Sequence, residues 1–396
     1  MKAMSKSIYI LQALRTPIGS PAKGLKDYSA AQLGSIVIKE IVRRSKIKAG
    51  SIDEVVLGNT VGAGTGQNLA RQAAVMAGLP VSIPAYTVNN VCGAGLQSVF
   101  LAAQAIQAGH ASLVLAGGTE SATHCPFLSS AQGKDKKPVA FQESLLQDGL
   151  LCPLTGKRMG DLAEWLARDS GISRQAQDRF AWESHRRAVE AQSGGKFRQE
   201  IVSVKMTADE FFKDDDRPRK NIKLETLAAL PAAFVKNGCV TAGNSSVPSD
   251  GAAAVVAASE EAVKKEKLKP LARILGYAAV AVEPQKVFTA AVPAIEKCLK
   301  QCRLSLTDID LFEISEAFAV QAIYTQQTLK IPEKKINIYG GDIALGHPLG
   351  AAGTRILVTL TQALVQEEKK LGLVCICLGG GGCLAMIIEN TVGSQI

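Results

Sequence analysis

The sequence predicts an α/β protein that consists of two related halves separated by a long insertion. Short apolar runs alternate with helical patterns in the first 120 residues, and the same alternation resumes at residue 251. Between residues 121 and 249 the chain is polar at first, is punctuated by proline and glycine, and shows helical patterns without strands. Regular alternation of strands and helices is typical of a mostly parallel sheet with helices on its faces.

The first half, residues 1–120, is predicted to contain four strands and three helices. Each strand is a short apolar run, and each helix repeats apolar residues at a helical period. Strands are expected at residues 8–14, 54–59, 85–88 and 113–118, and helices at residues 30–44, 68–77 and 93–108. A further strand at residues 252–258 is expected to complete this half at about residues 250–270.

The insertion and the second half follow. The insertion, residues 121–249, has helical patterns at residues 161–170 and 175–193 and a charged loop at residues 214–220. Such insertions often shape substrate pockets. In the second half, residues 271–396, strands are expected at residues 271–282, 310–314, 373–378 and 383–389, and helices at residues 292–302, 318–330 and 350–363.

The two halves share a spacing that suggests an internal duplication. The segment SIDEVVLGN resembles LTDIDLFEIS, which pairs Asp53 with Asp308 at an offset of 255 residues. The same offset pairs Cys92 with His347, and each of these lies in a glycine-rich loop that opens a helix. We therefore expect the two loops to face each other, with Cys92 on one and His347 on the other.

Composition excludes several classes of protein. Hydrophobic residues make up 47% of the 396 residues, so the chain can bury a core and is not mainly disordered. The 36 glycines follow no triplet period, which excludes collagen. The net charge of +9 suits an anionic partner, but no basic run carries the interleaved aromatic side chains that stack on bases. We expect no nucleic-acid partner; a phosphorylated small molecule fits the charge better.

The cysteines and the chain ends indicate a reducing compartment. Nine cysteines without a CxxC pair suit neither a disulfide framework nor a structural zinc site. The start, MKAMSKSIYIL, does not have the pattern of a secretory leader, and the end, Ser394-Gln395-Ile396, is not a peroxisomal tail. The longest apolar stretch, residues 373–388, is too short to span a bilayer. We expect a cytoplasmic protein with no membrane partner.

Cys92 is the first candidate for chemistry. It lies in NNVCGAGLQSV, immediately before an alanine-rich helix. The positive end of the helix dipole favours a thiolate there, and Gly93 and Gly95 let a ligand or backbone approach closely. The alternative, a buried and inert thiol, stays open at this point.

His347 and Cys377 lie in two further glycine-rich segments. His347, in GGDIALGHPLGAAG, is held by a loop and is a candidate base. Cys377 precedes LGGGG at a strand end, where backbone N–H groups can bind an oxyanion. Packing is the expected role of Cys375, Cys298 and Cys302, and a metal or redox pair of Cys375 with Cys377 is the alternative.

The sequence does not support a dinucleotide site. The loop GAGTGQN suggests the glycine pattern of such sites, but Leu69 stands where the last glycine belongs.

Six motifs together resemble the thiolase family over the whole chain. They are VNNVCGAGLQS, DEVVLGN with GQNLARQAA, TAGNSSVPSDGAAA, SEAFAVQ, GGDIALGHPLGAAG and CLGGGG. The resemblance implies the five-layered αβαβα thiolase fold, made of two duplicated halves with an inserted loop domain that binds coenzyme A (CoA). It also implies that Cys92 carries the acyl group, His347 activates it, Cys377 is the second acid/base, and Gly379 with Cys92 supplies oxyanion N–H groups.

Several positions depart from the family pattern or are assigned by it to the substrate. Ser315 replaces the asparagine that holds a catalytic water, and Arg158 replaces a histidine near the pantetheine of CoA. Phe288 replaces a methionine of the acyl pocket and predicts short acyl chains; Phe318 is assigned to the residues that bind the substrate or CoA. The resemblance places Leu150 and Ser246 along the pantetheine tunnel. It places Arg219 near the adenine and 3′-phosphate, although Arg219 suits a solvated loop equally well.

The resemblance implies an acetyl-CoA C-acetyltransferase that reversibly condenses two acetyl-CoA molecules into acetoacetyl-CoA and CoA. One alternative is a degradative 3-ketoacyl-CoA thiolase of fatty-acid β-oxidation. The other, suggested by Ser315 and Arg158, is a weakly active CoA-binding scaffold or a subunit of an acyltransferase complex. Neither a metal nor a cofactor beyond the CoA thioester is expected, and the family implies a homodimer or homotetramer.

Overall fold

The computed structural model describes residues 7–132 and 137–394. The chain start and the last two residues, on which the expectations about a leader and a peroxisomal tail depend, lie outside the described residues. The strands are β1 (Ile8–Arg15), β2 (Glu54–Gly58), β3 (Ala85–Val88), β4 (Leu113–Glu120), β5 (Phe127–Gln132), β6 (Lys137–Glu143), β7 (Leu151–Cys152), β8 (Lys157–Arg158), β9 (Val204–Lys205), β10 (Phe211–Phe212), β11 (Gly251–Ser259), β12 (Ala272–Ala281), β13 (Leu311–Ile314), β14 (Leu371–Leu378) and β15 (Gly382–Asn390). The helices are α1 (Ala30–Ser45), α2 (Leu69–Met76), α3 (Ala94–Ala108), α4 (Met159–Ser170), α5 (Arg174–Ser193), α6 (Leu224–Ala228), α7 (Glu260–Lys265), α8 (Ala291–Cys302), α9 (Ala319–Leu329), α10 (Asp342–Leu345) and α11 (Leu349–Gln366).

The main sheet is mixed rather than mostly parallel. In the described part of the chain nine strands follow the order β13-β14-β15-β12-β1-β11-β4-β2-β3. Only β2 with β3, β2 with β4, and β13 with β14 pair in parallel. The expectation of a mostly parallel sheet is therefore wrong. One physical reason is the three-residue turn at 379–381, because a turn this tight can only join antiparallel strands such as β14 and β15.

Both halves repeat one strand order. The first half reads β3-β2-β4-β11-β1, and the second reads β13-β14-β15-β12 in the matching order. A single parallel bridge from Phe312 to Ile336 occupies the position that corresponds to β3. The halves join where β1 and β12 pair at residues 8–10 and 272–274. This repetition supports the internal duplication that the sequence suggested.

The register of the duplication differs from the prediction at one point. Asp53 accepts hydrogen bonds from the N–H groups of Ser112 and Leu113, which begin β4. Asp310 does the same for Lys370 and Leu371 at the start of β14. The structural counterpart of Asp53 is therefore Asp310, and the predicted pairing with Asp308 is wrong by two residues.

The elements stack in five layers. Helices α1 and α2 cover the outer face of the first half-sheet, and α8 covers the outer face of the second. Helices α3 and α11 lie between the two half-sheets and contact each other along their lengths. The resulting order, αβαβα, confirms the predicted fold class. Large apolar clusters fill the interfaces on both sides of each half-sheet.

The insertion between β4 and β11 contains strands, contrary to expectation. Three two-stranded sheets occur there, formed by β5 with β6, β7 with β8, and β9 with β10. Helix α4 packs against α9 and the 3-10 helix Pro284–Thr289, and α5 packs against α9 and α10. The insertion thus covers one side of the second half near residue 347. The domain boundaries at residues 120, 249 and 271 stay a prediction.

The segment Val91–Ala108, which contains α3, has the length and apolarity of a membrane span, and the sequence analysis did not identify it. The 18 residues Val91–Ala108 have a mean hydropathy of 1.3, but 56% of that window is buried inside the protein. Its position between the two half-sheets is that of a core helix.

Candidate active site

Eight of the eleven predicted site residues line one narrow cavity of about 60 Å³. They are Cys92, Leu150, Ser246, Phe288, Phe318, His347, Cys377 and Gly379. The same cavity is lined by Gly149, Met159, Pro248, Val287, Ala317, Leu349 and Leu378, which the sequence analysis did not assign. Two thiols and one imidazole from distant parts of the chain therefore share a single space.

Cys92 lies at a strained turn before α3. Val91 has φ of +48°, a left-handed conformation that costs a β-branched residue about 1–3 kcal/mol. Both backbone groups of Val91 are anchored: its N–H donates to Asn89 Oδ1 at 3.0 Å, and its carbonyl accepts from Thr60 Oγ1 at 3.0 Å. These bonds hold the turn, so the Cys92 thiol is presented to the cavity at the start of α3.

Close packing of α3 on α11 brings the Cys92 and His347 loops together. A Cβ atom at Gly95 would lie 2.7 Å from Thr354 Oγ1, and one at Gly118 would lie 1.9 Å from the Gly350 carbonyl oxygen. A larger residue at Gly95 would push the N-terminal ends of α3 and α11 apart, and one at Gly118 would push α11 away from β4. The glycines thus permit the juxtaposition of the two loops that the duplication predicted.

His347 is buried and its backbone is clamped by the end of the insertion. Its N–H donates to the Val247 carbonyl at 3.0 Å, and its carbonyl accepts from the Ser249 N–H at 3.2 Å. The imidazole Nδ1 lies 3.3 Å from Asp342 Oδ2. Burial opposes the charged imidazole, but the Asp342 carboxylate and the Cys92 thiol outweigh it and raise the pKa of His347 to about 10. The ring is therefore held as an imidazolium at neutral pH.

Asp342, which the sequence analysis missed, is the carboxylate beside His347. It is fully buried and accepts hydrogen bonds from Ser315 Oγ at 2.6 Å, from the Glu316 N–H at 3.1 Å, and from Arg355 Nη2. Burial alone would raise the pKa of Asp342, but the charges of Arg355 and His347 hold it well below its usual range. Two features of the sequence could have indicated this pair. Asp342 is a lone acid in an apolar, glycine-rich loop, and Arg355 is a lone arginine in an apolar helix.

Ser315 reaches the site only through Asp342. Its hydroxyl donates to the Asp342 carboxylate, and Ser315 is not among the residues that line the cavity. The expected role in holding a water stays untested, but the hydroxyl proton is already committed to a carboxylate.

Cys377 occupies the end of β14, directly opposite Cys383 on β15. The two sulfur atoms are 3.8 Å apart, and Cys375 Sγ lies 3.4 Å from Cys383 Sγ. Of these three thiols Cys377 is the one that lines the cavity, next to Gly379. Cys375 and Cys298 are buried in the apolar cluster beneath the sheet, which agrees with the expected packing role.

Two aromatic rings form one wall of the cavity. The ring centroids of Phe288 and Phe318 are 5.2 Å apart in an edge-to-face arrangement, and Phe234 packs on the far side of Phe318 at 6.1 Å. Such pairs are rigid, so this wall limits how far an acyl chain can extend.

The structure does not bring Arg158 or Arg219 to the cavity wall. The Arg158 guanidinium pairs with Asp161 at 2.9 Å and lies over the Phe234 ring, 5.3 Å from its centroid. The Arg219 N–H donates to His185 Nδ1 at 3.2 Å. Burial, together with the charges of Arg219 and Arg217, lowers the pKa of His185 to about 4, which keeps this acceptor neutral. Contacts of both arginines with CoA stay predictions.

Comparisons with known proteins show the family of the chain. The family model of the thiolase N-terminal domain matches residues 8–261, and that of the thiolase C-terminal domain matches residues 268–390. The chain belongs to the thiolase family. It is 45% identical to an acetyl-CoA acetyltransferase of Escherichia coli, over 97% of this chain and 99% of the relative.

Solved thiolases share the fold closely. Human mitochondrial 3-ketoacyl-CoA thiolase matches with a TM-score of 0.95 and 36% identity, over 98% of this thiolase and 100% of that chain. A thiolase of Ascaris suum in complex with coenzyme A matches with a TM-score of 0.92 and 39% identity, over 97% and 100% of the two chains. This thiolase is therefore an acyltransferase.

Proposed function

We propose that this thiolase is an acetyl-CoA C-acetyltransferase, which reversibly condenses two acetyl-CoA molecules into acetoacetyl-CoA and CoA. The observation that carries the proposal is the convergence of Cys92, His347 and Cys377 on one narrow cavity. The aromatic wall of Phe288 and Phe318 supports a short acyl group. The 45% identity to an acetyl-CoA acetyltransferase supports it as well.

The first half of the proposed reaction transfers an acetyl group to Cys92. The Cys92 thiol has already given its proton to the His347 imidazole, and the resulting thiolate attacks the carbonyl carbon of acetyl-CoA. The new carbon–sulfur bond forms, and the bond to the CoA sulfur breaks. The departing CoA thiolate takes the proton from the His347 imidazolium, which leaves acetyl-Cys92 and CoA.

The second half forms the carbon–carbon bond. Cys377, as a thiolate, removes a proton from the methyl group of a second acetyl-CoA, and the resulting enolate attacks the carbonyl carbon of acetyl-Cys92. The bond to the Cys92 sulfur then breaks and releases acetoacetyl-CoA, and the proton held by Cys377 passes to the Cys92–His347 pair, which restores the starting state of all three groups. Backbone N–H groups of Cys92 and Gly379 stabilise the oxyanion, and one such donor contributes about 3 kcal/mol.

Substrate chain length tests the proposal against the degradative alternative, to which the likeness to a 3-ketoacyl-CoA thiolase points. We expect kcat/KM for thiolysis to be highest for the four-carbon 3-ketoacyl-CoA and at least about tenfold lower for the eight-carbon substrate. The aromatic wall leaves no room for the additional methylene groups of the longer acyl chain. The measurement is kcat/KM for substrates of four to ten carbons. A rate that is equal or higher at ten carbons would establish the degradative activity instead.

Phe288 is predicted to set this limit. Replacing Phe288 with alanine should raise kcat/KM for the eight-carbon substrate relative to the four-carbon substrate by about tenfold or more. Phe234→Ala is the matched control, because that ring belongs to the same aromatic cluster but does not line the cavity. Truncating a buried phenylalanine costs about 3–5 kcal/mol of stability, so thermal melts must show that both variants are folded. An unchanged chain-length ratio in Phe288→Ala would contradict the assignment.

The scaffold alternative is separated by a direct observation of the intermediate. Mass spectrometry after addition of acetyl-CoA should find one acetyl group on the peptide that contains Cys92. A scaffold without turnover would carry none.

We also propose that the protein is a cytoplasmic homo-oligomer, a dimer or a homotetramer. All nine cysteines are free thiols, as suits a reducing compartment. The strand pair β5 and β6 exposes Phe127 and Phe141, and these exposed aromatic residues support an interface between subunits. Light scattering of the purified protein decides the number of subunits.

A further inference from the structure

A buried acid stands directly behind the predicted base. Asp342 Oδ2 lies 3.3 Å from His347 Nδ1, and the His347 ring shares the cavity with the Cys92 thiol. We propose that Asp342 is a positioning residue that fixes the His347 ring with Nδ1 toward its carboxylate and Nε2 toward Cys92. The inference rests on the proposed function, because it assigns His347 the role of accepting the Cys92 proton.

The Asp342 carboxylate is held from three sides and cannot turn away. The Arg355 guanidinium, on α11, bonds to Oδ1, while the Ser315 hydroxyl and the Glu316 N–H bond to Oδ2. The opposite side of the pair is equally fixed, because the backbone of His347 is clamped at both its N–H and its carbonyl. Nδ1 is buried and makes no hydrogen bond within the described residues, so the Asp342 carboxylate at 3.3 Å is the acceptor that it faces. The arrangement leaves Asp342 as the acidic group that Nδ1 faces.

The surrounding charges make Asp342 the ionised acid of this cluster. The titratable groups that face it are Arg355 of α11, Glu313 of β13, Glu316 after β13, His347 and, beyond the ring, Cys92. Burial raises the pKa of Glu313 and of Glu316, which favours their neutral forms. Asp342, in contrast, is stabilised as an anion between two cations. The carboxylate therefore offers a fixed negative charge to the imidazole.

This geometry has a chemical consequence for the nucleophile. When Nδ1 carries its proton toward Asp342, Nε2 is left as an acceptor for the Cys92 proton. Transfer of that proton produces a thiolate and an imidazolium, and the carboxylate stabilises the imidazolium. Ser315 contributes by holding Oδ2 in place, which gives this departure from the family pattern a role that needs no water.

The first test is spectroscopic and needs no substrate. Nitrogen NMR of the four histidine rings, with the His347 signal assigned from His347→Asn, should show His347 protonated from pH 6 to pH 9 in the wild-type protein. In Asp342→Asn the signal should report a neutral ring at pH 7.5, because the largest contribution that opposes burial is then removed and only Cys92 still opposes it. A neutral His347 in the wild type, or a His347 that stays protonated in Asp342→Asn, would overturn the proposal.

The second test measures the reactivity of Cys92. Alkylation of Cys92 by iodoacetamide, followed by mass spectrometry, should be nearly independent of pH from 6 to 9 in the wild type. In Asp342→Asn it should be at least about 100-fold slower at pH 6.5 and should rise with pH. Ser315→Ala keeps the carboxylate, so it should change the rate by less than about tenfold. An Asp342→Asn protein that alkylates as the wild type does contradicts the proposal.

Asp215→Asn is the matched control, since Asp215 is also a fully buried acid paired with an arginine, Arg15. It should lose stability without changing the alkylation profile.

In turnover assays, Asp342→Asn should lower kcat at least about 100-fold with KM for acetyl-CoA within about threefold. If the wild type fails to condense acetyl-CoA, the proposed function fails, whereas the NMR and alkylation results still decide the role of Asp342.

Discussion

Replacing Cys92 with alanine is expected to lower the rate of acetoacetyl-CoA thiolysis by at least about 10⁴-fold, because the covalent intermediate can no longer form. The cavity holds a second thiol, Cys377, but that thiol lies at the end of β14 rather than at the strained turn that opens α3. The substitution removes only one sulfur atom from a half-exposed position, so the fold should persist. The measurement is kcat for CoA-dependent cleavage of acetoacetyl-CoA.

Cys302→Ala provides the control for this experiment. Cys302 is also partly buried and free, but it lies at the end of α8 and does not line the cavity. Its removal should leave kcat within about twofold of the wild type, in keeping with the small effect of most substitutions away from a site. A Cys92→Ala protein with undiminished thiolysis would falsify the assignment of the nucleophile and, with it, the proposed reaction.

Replacing Cys377 with alanine is expected to separate the two half-reactions. Condensation of acetyl-CoA should fall by at least about 10³-fold, because no group remains to remove the proton from the second acetyl group. Acetylation of Cys92 by labelled acetyl-CoA should stay within about fivefold, since that step uses only Cys92 and His347. Both rates are measured on one preparation, by product formation and by protein-bound label. The wild type, but not the variant, should also exchange the methyl protons of acetyl-CoA in heavy water.

The cross-strand neighbour Cys383 offers a close control for Cys377. The two sulfurs are 3.8 Å apart, but Cys383 faces the buried cluster and does not line the cavity. Cys383→Ala should therefore retain condensation within about fivefold. If acetylation of Cys92 falls in parallel with condensation in Cys377→Ala, the defect lies in the shape of the cavity rather than in proton transfer.

Local patterns were sufficient to locate the main candidates for chemistry. Cys92 and His347 each precede a helix in a glycine-rich loop, and Cys377 ends a strand before four glycines. Such signals depend on neighbouring residues along the chain, which is why they can be read without a structure. The secondary structure of the two halves was predicted to within a few residues for the same reason.

Other features depended on contacts that no local pattern specifies. The sheet direction was misjudged because antiparallel neighbours such as β1 and β11 come from opposite ends of the first half. The Arg158 guanidinium pairs with an acid three residues away, while its expected contact with CoA stays a prediction. The counterpart of Asp53 was wrongly predicted as Asp308 because the sequence alignment compared residue types. In the structure the equivalent residue is Asp310, which accepts the same hydrogen bonds from the start of a strand.

By itself the sequence determined the fold class, the duplication and the three residues of the proposed reaction, since periodicity and glycine placement are properties of short segments. Only the tertiary structure decided that Asp342 lies behind His347 and that Ser315 bonds to Asp342 rather than facing the cavity. The physical reason is that a buried charge is tolerated only where partners from several elements surround it. Here those partners come from β13, α11 and the loops between them, and only packing brings them together.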